Sequence, residues 1–409
     1  MATWPVKRMD ELCEITSSKR IFAADYVSEG VPFYRGREIT EKYKGNLDVS
    51  TELFITEEKF SEIERKFGAP KTGDLLLTSV GTLGSVYVVK PSDRFYFKDG
   101  NLTWFRNFQE LDSRFLYYWL GSPQGKAELQ KATIGSSQSA FTIVLLKGME
   151  MELPPLPVQR RIAGILSAYD ELMENSQRRI RLLEAMARAL YREWFVHFRF
   201  PGHEKLPRVA SPLGHIPQGW EVKKLGDIAE DMRRNVPKGE LEEPKPYVGL
   251  EHIPRRSLAL DAWETATELG SNKLEFKKGE VLFGKIRPYF HKVSVAPFDG
   301  LCSADTIVIR SRRPEHYAVV VACVSSDAFV AEASATANGA KMPRANWDVL
   351  EKFPVVIPKG KVAEKFSALF ADIIAQQQAL IFQIQNLRRT RDLLLPRLLS
   401  GQVQIPNTN

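Results

Sequence analysis

The sequence predicts an α+β protein built as an internal repeat, in which two mixed α/β domains are each followed by a long helix. Three observations predict this fold class: five pairs of similar segments recur in the same order, each copy begins with short β-rich runs, and each copy ends in a long apolar stripe at helical spacing. The 409 residues suffice for two or three domains, and a composition of 44% hydrophobic and 26% charged residues is typical of globular proteins.

The repeat consists of matched segments along the two halves of the chain. Residues 4–15 (WPVKRMDELCEI) align with residues 220–231 (WEVKKLGDIAED), and the spacing between matched positions shrinks from 216 to 204 residues along the repeat. The four further pairs are 33–39 with 247–253, 71–80 with 277–286, 101–106 with 305–310, and 151–166 with 355–370. Loop deletions produce such small steps in spacing, so we expect the two copies to share one fold.

Each copy divides into a β-rich part and a helical part. Runs such as DLLLTSV and TWFRN in the first copy, and EVLFGKI and TIVIRS in the second, alternate with Gly, Pro and Asp turn signals. Proline-marked stops at residues 153–157 and 357–360 precede the helical parts. The predicted divisions are domains at 1–153 and 220–357, a central helix at 154–199, a linker at 200–219, a distal helix at 358–400 and a tail at 401–409.

The helical parts have the apolar pattern of a coiled coil, because apolar residues recur mostly in steps of three and four along one seam. The seam residues are Val158, Ile162, Ile165, Tyr169, Leu172, Ile180, Leu183, Ala187, Leu190 and Trp194 in the central helix, and Phe366, Phe370, Ile373, Leu380, Ile384, Leu387, Leu394 and Leu398 in the distal helix. Helices of about 35–40 residues are about 55–60 Å long, which exceeds ordinary core helices. We expect them to pair as two long antiparallel coiled-coil spacer helices, giving a pseudo-twofold arrangement with one domain at each end of a rod.

Two local features qualify this arrangement. Pro396 should end or kink the distal helix at about Leu395, because proline cannot continue the helical hydrogen-bond ladder. The linker at 200–219 is rich in Pro and Gly, so we expect an extended return segment.

The formal net charge of +7 favours a polyanion as a partner. The longest apolar run, residues 318–324, is far shorter than the roughly 20 residues needed to cross a bilayer, and the N-terminus lacks the features of a secretory signal. We therefore expect a cytoplasmic protein with no membrane partner. Cys13, Cys302 and Cys323 are widely separated, and we expect them to be buried, small apolar residues.

Two related but non-identical domains on a rigid spacer suit recognition of two different half-sites on one polymer. Double-stranded DNA fits best, since half-sites one turn apart are separated by about 34 Å, a distance that a helical spacer can fix. Two identical domains would recognise a palindrome. The two diverged domains therefore predict two different half-site sequences separated by a fixed gap.

The sequence resembles the specificity subunits of type I restriction-modification systems over essentially the whole chain. The resemblance lies in the duplicated organisation, the domain starts WPVKRMDEL and WEVKKLGDI, the segment IPQGWEV, the turns GDLLLTSVGTLG and GEVLFGKIRPYFHK, and the helix opening ELPPLPVQRRIAGIL. It implies two target-recognition domains, each reading one half of a bipartite asymmetric sequence, and spacer helices that carry two modification subunits.

The resemblance also implies the chemistry of the partners. The modification subunits would bind S-adenosylmethionine and methylate adenine N6, and two restriction (nuclease-motor) subunits would join them for cleavage. The chain itself is then a non-catalytic subunit without a cofactor of its own, acting in a prokaryotic cytoplasm.

The sequence lacks the motifs that catalysis by this chain would need. It contains neither an Asn/Asp-Pro-Pro-aromatic motif for a flipped adenine nor a GxxxxGK[ST] phosphate loop. The Glu-x-Lys triplet at 275–277 has no supporting acidic context, and the six histidines show no metal-ligand spacing. We therefore predict no catalytic and no metal-binding residues.

The candidate DNA-binding residues lie in polar segments beside glycines, where side chains can approach phosphates and base edges closely. Arginine can form two hydrogen bonds to one guanine, and glutamine can form two to one adenine. The candidates are Arg35, Arg37, Ser79, Thr82, Lys98, Ser136, Ser137 and Gln138 in the first copy, and Lys285, Arg287, Tyr289, His291, Lys292, Lys341 and Arg344 in the second. The stretch 285–292 is basic with interleaved aromatic residues and is the strongest of these predictions.

Two alternatives stay open at the level of sequence. A coiled-coil scaffold or adaptor would also carry two globular domains, but it would need no basic turns. A solitary specificity subunit whose partners only methylate DNA would have the same sequence features as a member of a full restriction system.

Overall fold

The computed structural model describes residues 4–45, 49–135 and 139–403 of the chain. The fold divides into two units, one of Met1–Glu174 together with Leu387–Asn409, and one of Asn175–Asn386. Both divisions fall inside long helices, so each of these helices contributes a part to each unit.

Short strands and helices alternate in the first unit. Its strands are β1 (Val6–Arg8), β2 (Glu14–Thr16), β3 (Val31–Tyr34), β4 (Phe54–Ile55), β5 (Leu75–Thr78), β6 (Val86–Val88), β7 (Tyr96–Phe97), β8 (Leu102–Arg106), β9 (Thr133–Ile134), β10 (Ala140–Phe141) and β11 (Glu150–Glu152). Its helices are α1 (Met9–Leu12), α2 (Gly36–Tyr43), α3 (Glu57–Phe67), α4 (Ser113–Gly121), α5 (Pro123–Lys131), α6 (Ile143–Lys147) and the beginning of α7 (Leu156–Tyr191). Side-chain caps explain several helix starts, since Thr56 accepts the Lys59 N–H before α3 and Asp112 accepts two N–H groups before α4.

A four-stranded antiparallel sheet in the order β2-β8-β5-β6 organises the first unit. Leu75 and Leu77 of β5 belong to one hydrophobic cluster and Leu76 to another, because alternate residues of a strand point to opposite faces. Both faces of this strand are therefore covered. A smaller sheet, β4-β3-β7, contains a parallel pair of β3 with β7.

The second unit contains the remaining elements. Its strands are β12 (Arg208–Ser211), β13 (Gly214–Pro217), β14 (Glu221–Lys224), β15 (Ala229–Asp231), β16 (Arg234–Val236), β17 (Gly239–Val248), β18 (Glu264–Leu269), β19 (Lys273–Phe276), β20 (Val281–Gly284), β21 (Val293–Val295), β22 (Gly300–Ser303), β23 (Thr306–Ser311) and β24 (Pro354–Ile357). Its helices are the later part of α7, α8 (Leu225–Ile228), α9 (Tyr317–Val324), α10 (Asp327–Ala335), α11 (Trp347–Leu350) and most of α12 (Lys361–Leu399).

The second unit repeats the topology of the first. Its antiparallel sheet has the order β15-β23-β20-β21, and its parallel pair of β17 with β22 corresponds to β3 with β7. In each copy the first strand of the predicted domain pairs with the last, β1 with β11 and β14 with β24, so the chain enters and leaves each domain side by side. The shared strand order confirms the predicted α+β fold with a duplicated mixed domain.

Hydrophobic packing explains the two long helices. Pro157 lies in the first turn of α7, where its missing N–H costs nothing. Ile162, Ile180 and Trp194 of the predicted seam are buried. Leu172 is an exception, because its side chain is exposed while that of the neighbouring Met173 is buried.

Within each unit, α7 and α12 meet through opposite ends. In the first unit, Arg391 near the end of α12 donates to Asp170 Oδ1 in the first half of α7 at 2.5 Å. In the second unit, Phe366 near the start of α12 lies 4.6 Å, ring centroid to ring centroid, from Phe195 just after α7. In each contact a residue from one half of α7 or its end meets a residue from the opposite half of α12, which is the pattern of an antiparallel pair.

The prediction of an extended linker was wrong, and so was one of the two outcomes predicted at Pro396, the end of the helix. The linker is not simply extended, because β12 and β13 form a hairpin whose turn ends at Gly214 with a φ of 89°. The distal helix does not end at Leu395 but continues through Pro396 to Leu399. Leu398 and Leu399 are buried in the core of the first unit, and this packing outweighs the one hydrogen bond that proline removes.

In the described part of the chain, no single helix combines the length and apolar composition that would cross a membrane. One bent pair, Pro314–Val324 with Asp327–Ala335, meets that test by length and composition alone. Cys13, Cys302 and Cys323 are buried and free, as predicted.

We expect Gln159→Ala to destabilise the first unit by about 1–3 kcal/mol, because it leaves buried backbone groups without partners. The fully buried Gln159 amide accepts the Asp112 N–H and donates to the carbonyls of Glu110 and Pro154, all at 2.8 Å. Urea unfolding followed by circular dichroism measures this loss. Gln376→Ala, at an exposed position of α12, is the matched control, and an equal loss in both variants would contradict the assignment.

Candidate nucleic-acid interface

The same backbone hydrogen bonds hold one hairpin turn in each unit. We call residues 79–85, between β5 and β6, the first turn, and residues 285–292, between β20 and β21, the second turn. The N–H of the first residue, Ser79 or Lys285, donates at 2.8 Å to the carbonyl of Asn101 or Asp305. These partners were aligned by the sequence repeat, so the duplication extends to individual hydrogen bonds.

A second segment holds each turn from its other side. The carbonyl of Ser79 accepts the Phe141 N–H, and the carbonyl of Lys285 accepts the Ala345 N–H, both at 3.0 Å. Single β-bridges follow in both copies, from Val80 to Ala140 and from Ile286 to Arg344. We call the chain that arrives there the return loop, residues 134–140 in the first unit and 336–344 in the second. Of the candidates in the first return loop, Ser136, Ser137 and Gln138 lie outside the described residues.

The first unit gathers four candidate side chains near the first turn. Arg35 precedes α2 and Arg37 lies in its first turn, while the Lys98 N–H donates to the carbonyl of Tyr34 at the end of β3. Helix α2 contacts the first turn, because the hydroxyls of Thr40 and Ser85 are 3.1 Å apart. Arg37, Lys98 and Thr82 are exposed and Arg35 is half-buried. This surface therefore offers three cations and a hydroxyl.

Glu38 organises the two arginines of this surface. Its fully buried carboxylate accepts from Arg37 Nε at 2.9 Å, and from the backbone N–H and the guanidinium of Arg35 at 2.8 and 3.2 Å. Burial alone would raise the pKa of Glu38, but the hydrogen bonds from Arg35 outweigh it and lower the pKa below its usual value. Glu38 is thus a charged anchor that leaves part of each guanidinium facing outward.

Ser79 does not contribute its side chain to this surface. Its hydroxyl is buried and lies 2.7 Å from the Thr103 hydroxyl. We therefore remove Ser79 from the side chains that could contact DNA, although its backbone fixes the turn. The sequence offers no sign of this burial, since a serine at the end of a strand suits either role.

The second turn has an unusual backbone. Arg287 and His291 both have left-handed conformations, with φ of 50° and 52°, and they flank a 3₁₀ turn at Pro288–Phe290. Non-glycine residues adopt this conformation at a cost of about 1–3 kcal/mol, which the surroundings must offset. The Arg287 N–H donates to the carbonyl of Pro343 in the return loop at 2.8 Å. This backbone conformation places Tyr289 at the tip of the second turn, with 55% of its surface exposed.

Two of the predicted residues, His291 and Lys292, hold the second turn through side-chain hydrogen bonds within the protein. His291 is buried, and its Nε2–H donates to the Ser325 carbonyl at 2.9 Å. Burial is the main reason that the pKa of His291 is lowered, which favours the neutral ring. The Lys292 ammonium donates to the carbonyl of Leu250, and burial, followed by the charge of Arg255, lowers the pKa of this lysine. We therefore remove the buried His291 from the set of side chains that could contact DNA, whereas the half-buried Lys292 stays a prediction.

The remaining candidates of the second unit lie together on its surface. Arg344 contacts Asp305 at 3.4 Å, Lys285 donates to the carbonyl of Ala304 at 3.2 Å, and Lys341 is exposed in the return loop. Among the described residues, none forms a hydrogen bond or an ion pair with the Arg287 guanidinium. Arg287 and Tyr289 thus form the part of the second turn whose polar groups have the fewest polar contacts within the described residues.

Sequence reasoning missed Arg255. Its guanidinium lies 4.1 Å from the centroid of the Phe290 ring, and its backbone forms a bridge with Lys292. The only sequence signal is the Arg255-Arg256 pair, which lies about thirty positions before the turn. The contact depends on tertiary structure, so spacing could not have found it.

The Glu-x-Lys triplet is accounted for by ion pairing. Lys277 contacts Glu275 at 2.9 Å and Asp299 at 3.3 Å on the surface of the second unit. Within the described ranges, no group of three or more His, Cys, Asp or Glu side chains is arranged to hold a metal ion.

The chain is similar to known proteins of one family. Residues 1–185 match the family model of the type I restriction modification DNA specificity domain. The chain is 26% identical over 422 residues to the type I restriction enzyme MjaIX specificity subunit of Methanocaldococcus jannaschii, covering 98% of this chain and 94% of that protein. The chain is thus similar to type I restriction-modification specificity subunits, through the domain matched at residues 1–185 and through a relative matched over nearly its whole length. The resemblance drawn from its motifs is thereby confirmed.

Two further similarities agree with this resemblance. The chain is 30% identical over 174 residues to the type I restriction enzyme EcoDI specificity subunit of Escherichia coli, covering 40% of this chain and 38% of that protein. The crystal structure of a type I restriction-modification system S subunit from M. genitalium has a TM-score of 0.59 at 16% identity, covering 99% of this chain and 97% of that one, and shows the same fold.

If Arg287 contacts a base, as predicted, we expect Arg287→Ala to weaken binding of this protein to a DNA duplex that it recognises by about 1–3 kcal/mol. Fluorescence anisotropy with a duplex bearing the target sequence measures the change. Arg310→Ala removes an arginine of β23 that pairs with Glu230 and lies away from both turns. An equal effect of the two substitutions would contradict a specific role of Arg287.

Proposed function

We propose that this specificity subunit reads a bipartite, asymmetric sequence in double-stranded DNA, one half with each unit. The single observation that carries the proposal is the duplicated hydrogen-bond frame around the two turns. The frame is the same in both units, but the side chains it presents differ, with Thr82 in the first turn and Arg287 and Tyr289 in the second. Two different surfaces on one frame suit two different words, whereas a palindrome would call for identical ones.

The charge of the candidate surfaces supports DNA as the ligand. Arg35, Arg37 and Lys98 lie near the first turn, and Arg255, Lys285 and Arg344 near the second. Arginine and lysine bind phosphates and fix a protein on the duplex, while arginine also reads guanine. A binding free energy with both contributions depends on salt and on sequence.

The partners follow from the family. Two modification subunits that bind S-adenosylmethionine would methylate adenine N6 within the target, and two restriction subunits would join for cleavage. This chain would bind no cofactor, would contribute no catalytic residue and would act in the cytoplasm of a prokaryote. The long helix α7 offers a surface for such partners, because Leu182 and Met186 lie one turn apart and are each 59% exposed.

Methylation mapping tests this proposal. The specificity subunit is co-expressed with its modification subunit in a host lacking other adenine methylases, and N6-methyladenine is mapped by long-read sequencing. We expect a split, asymmetric motif with a constant gap, and no such motif when the specificity subunit is omitted.

The other outcomes separate the alternatives. A stable complex of the two proteins without any methylated motif would contradict the proposal and favour a scaffold. Addition of the restriction subunits then distinguishes a full restriction system from a methylation-only one, because only the former cleaves unmodified target DNA.

A further inference from the structure

One segment of the second unit contacts both the long helices and the second turn. We call residues 255–261, between β17 and β18, the clamp segment. Leu258, Ala259 and Leu260 at its centre are buried. The clamp segment therefore connects the surface proposed to read DNA with the parts of α7 and α12 that lie in the same unit.

Glu184 of α7 binds the clamp segment through three hydrogen bonds. Its Oε1 accepts from the Ser257 hydroxyl at 2.6 Å and from the backbone N–H groups of Leu258 and Ala259 at 2.8 and 3.3 Å. The Glu184 side chain is only 4% exposed, and Arg188 lies 3.9 Å from its other oxygen. A carboxylate so buried is tolerated because these donors compensate for the loss of water.

The second long helix holds the other end of the segment. Gln385 of α12 donates its side-chain N–H to the carbonyl of Asp261. The segment is therefore attached by polar groups to α7 at Ser257–Ala259 and to α12 at Asp261. Directional hydrogen bonds fix its position along the helices more narrowly than apolar contacts do, because apolar side chains pack in several registers.

The clamp segment in turn fixes the second turn. The Arg256 N–H donates to the carbonyl of His291 at 2.8 Å, and the Val295 N–H donates to the carbonyl of Leu258 at 2.9 Å. The Ser294 hydroxyl, fully buried, donates to the carbonyl of Ser257 at 3.0 Å. Bonds from Ser257 and Leu258 thus run both to Glu184 and to the strand that follows the turn.

We propose that Glu184 is a positioning residue, which sets where the second turn lies along the spacer helix and thereby the gap length that the subunit accepts between its two half-sites. This inference rests on the proposed bipartite function. Changing the gap by one base pair moves a half-site by about 3.4 Å and rotates it by about a tenth of a turn. A turn held rigidly discriminates against such a displacement, whereas a loosely held turn follows it.

The test measures gap selectivity with duplexes that carry both half-sites, as mapped for the wild-type protein, separated by the native gap or by one or two base pairs more or fewer. Methylation rates are measured with the complete complex of specificity and modification subunits. The variants are Glu184→Ala and Ser257→Ala, which remove the contact from either side. Glu184→Gln keeps an acceptor oxygen, and Glu193→Gln changes an exposed carboxylate paired with Arg199.

We expect the wild type, Glu184→Gln and Glu193→Gln to prefer the native gap over its neighbours by tenfold or more. Glu184→Ala should reduce that preference at least fivefold, and Ser257→Ala should reduce it less. Discrimination against mismatches in the half-site read by the first unit should not change, which distinguishes lost positioning from general loss of the fold.

Unchanged gap selectivity in Ser257→Ala and in a folded Glu184→Ala would overturn the inference. If Glu184→Ala does not fold, Ser257→Ala decides alone. Failure of the proposed function is seen separately, because the wild-type complex would then show no bipartite motif and no dependence on gap length.

Discussion

The structure depends on backbone hydrogen bonds that fix the start of each hairpin turn in the same way in both units. The first residue of the turn donates its N–H to the carbonyl of the residue that precedes a neighbouring strand, and its own carbonyl accepts the N–H of the segment that follows the return loop. Because no side chain takes part in these bonds, the exposed side chains of the turn can change without loss of the bonds. The proposed reading of two different half-sites with one fold needs this separation of backbone frame from exposed side chains.

Three carboxylates, two of them buried, hold neighbouring elements together. Glu38 holds the two arginines beside the first turn, and Glu184 holds the segment behind the second. Asp170 joins α7 to α4 and α12, since it accepts from Tyr118 at 2.6 Å and from Arg391. Each carboxylate accepts hydrogen bonds from several donors, so removing one donor is expected to leave a buried or half-buried acceptor with fewer partners rather than a simple cavity.

Much of the fold could be predicted from the sequence, and the reason is its duplication. Matched segments identify equivalent elements of the two copies, and the aligned positions Asn101 and Asp305 make equivalent hydrogen bonds. The long helices are visible in the sequence as apolar stripes. The linker hairpin was missed because Pro and Gly signals do not distinguish an extended segment from a tight turn. The continuation of α12 past Pro396 was missed because tertiary packing outweighs the helix-breaking tendency of proline.

Of the candidate site, the exposed cations were predictable from composition and glycine spacing. The internal roles of Ser79 and His291 were not, because burial depends on what packs over a residue.

The central claim is that two units with one frame each read their own half of the target. It is tested most directly by exchanging residues 1–153 for the corresponding domain of a second specificity subunit with a different known motif, and mapping N6-methyladenine for the chimera. The account predicts that one half of the motif changes to that of the donor while the other half is retained. A chimera that methylates the original motif, or one whose motif differs in both halves, would contradict it.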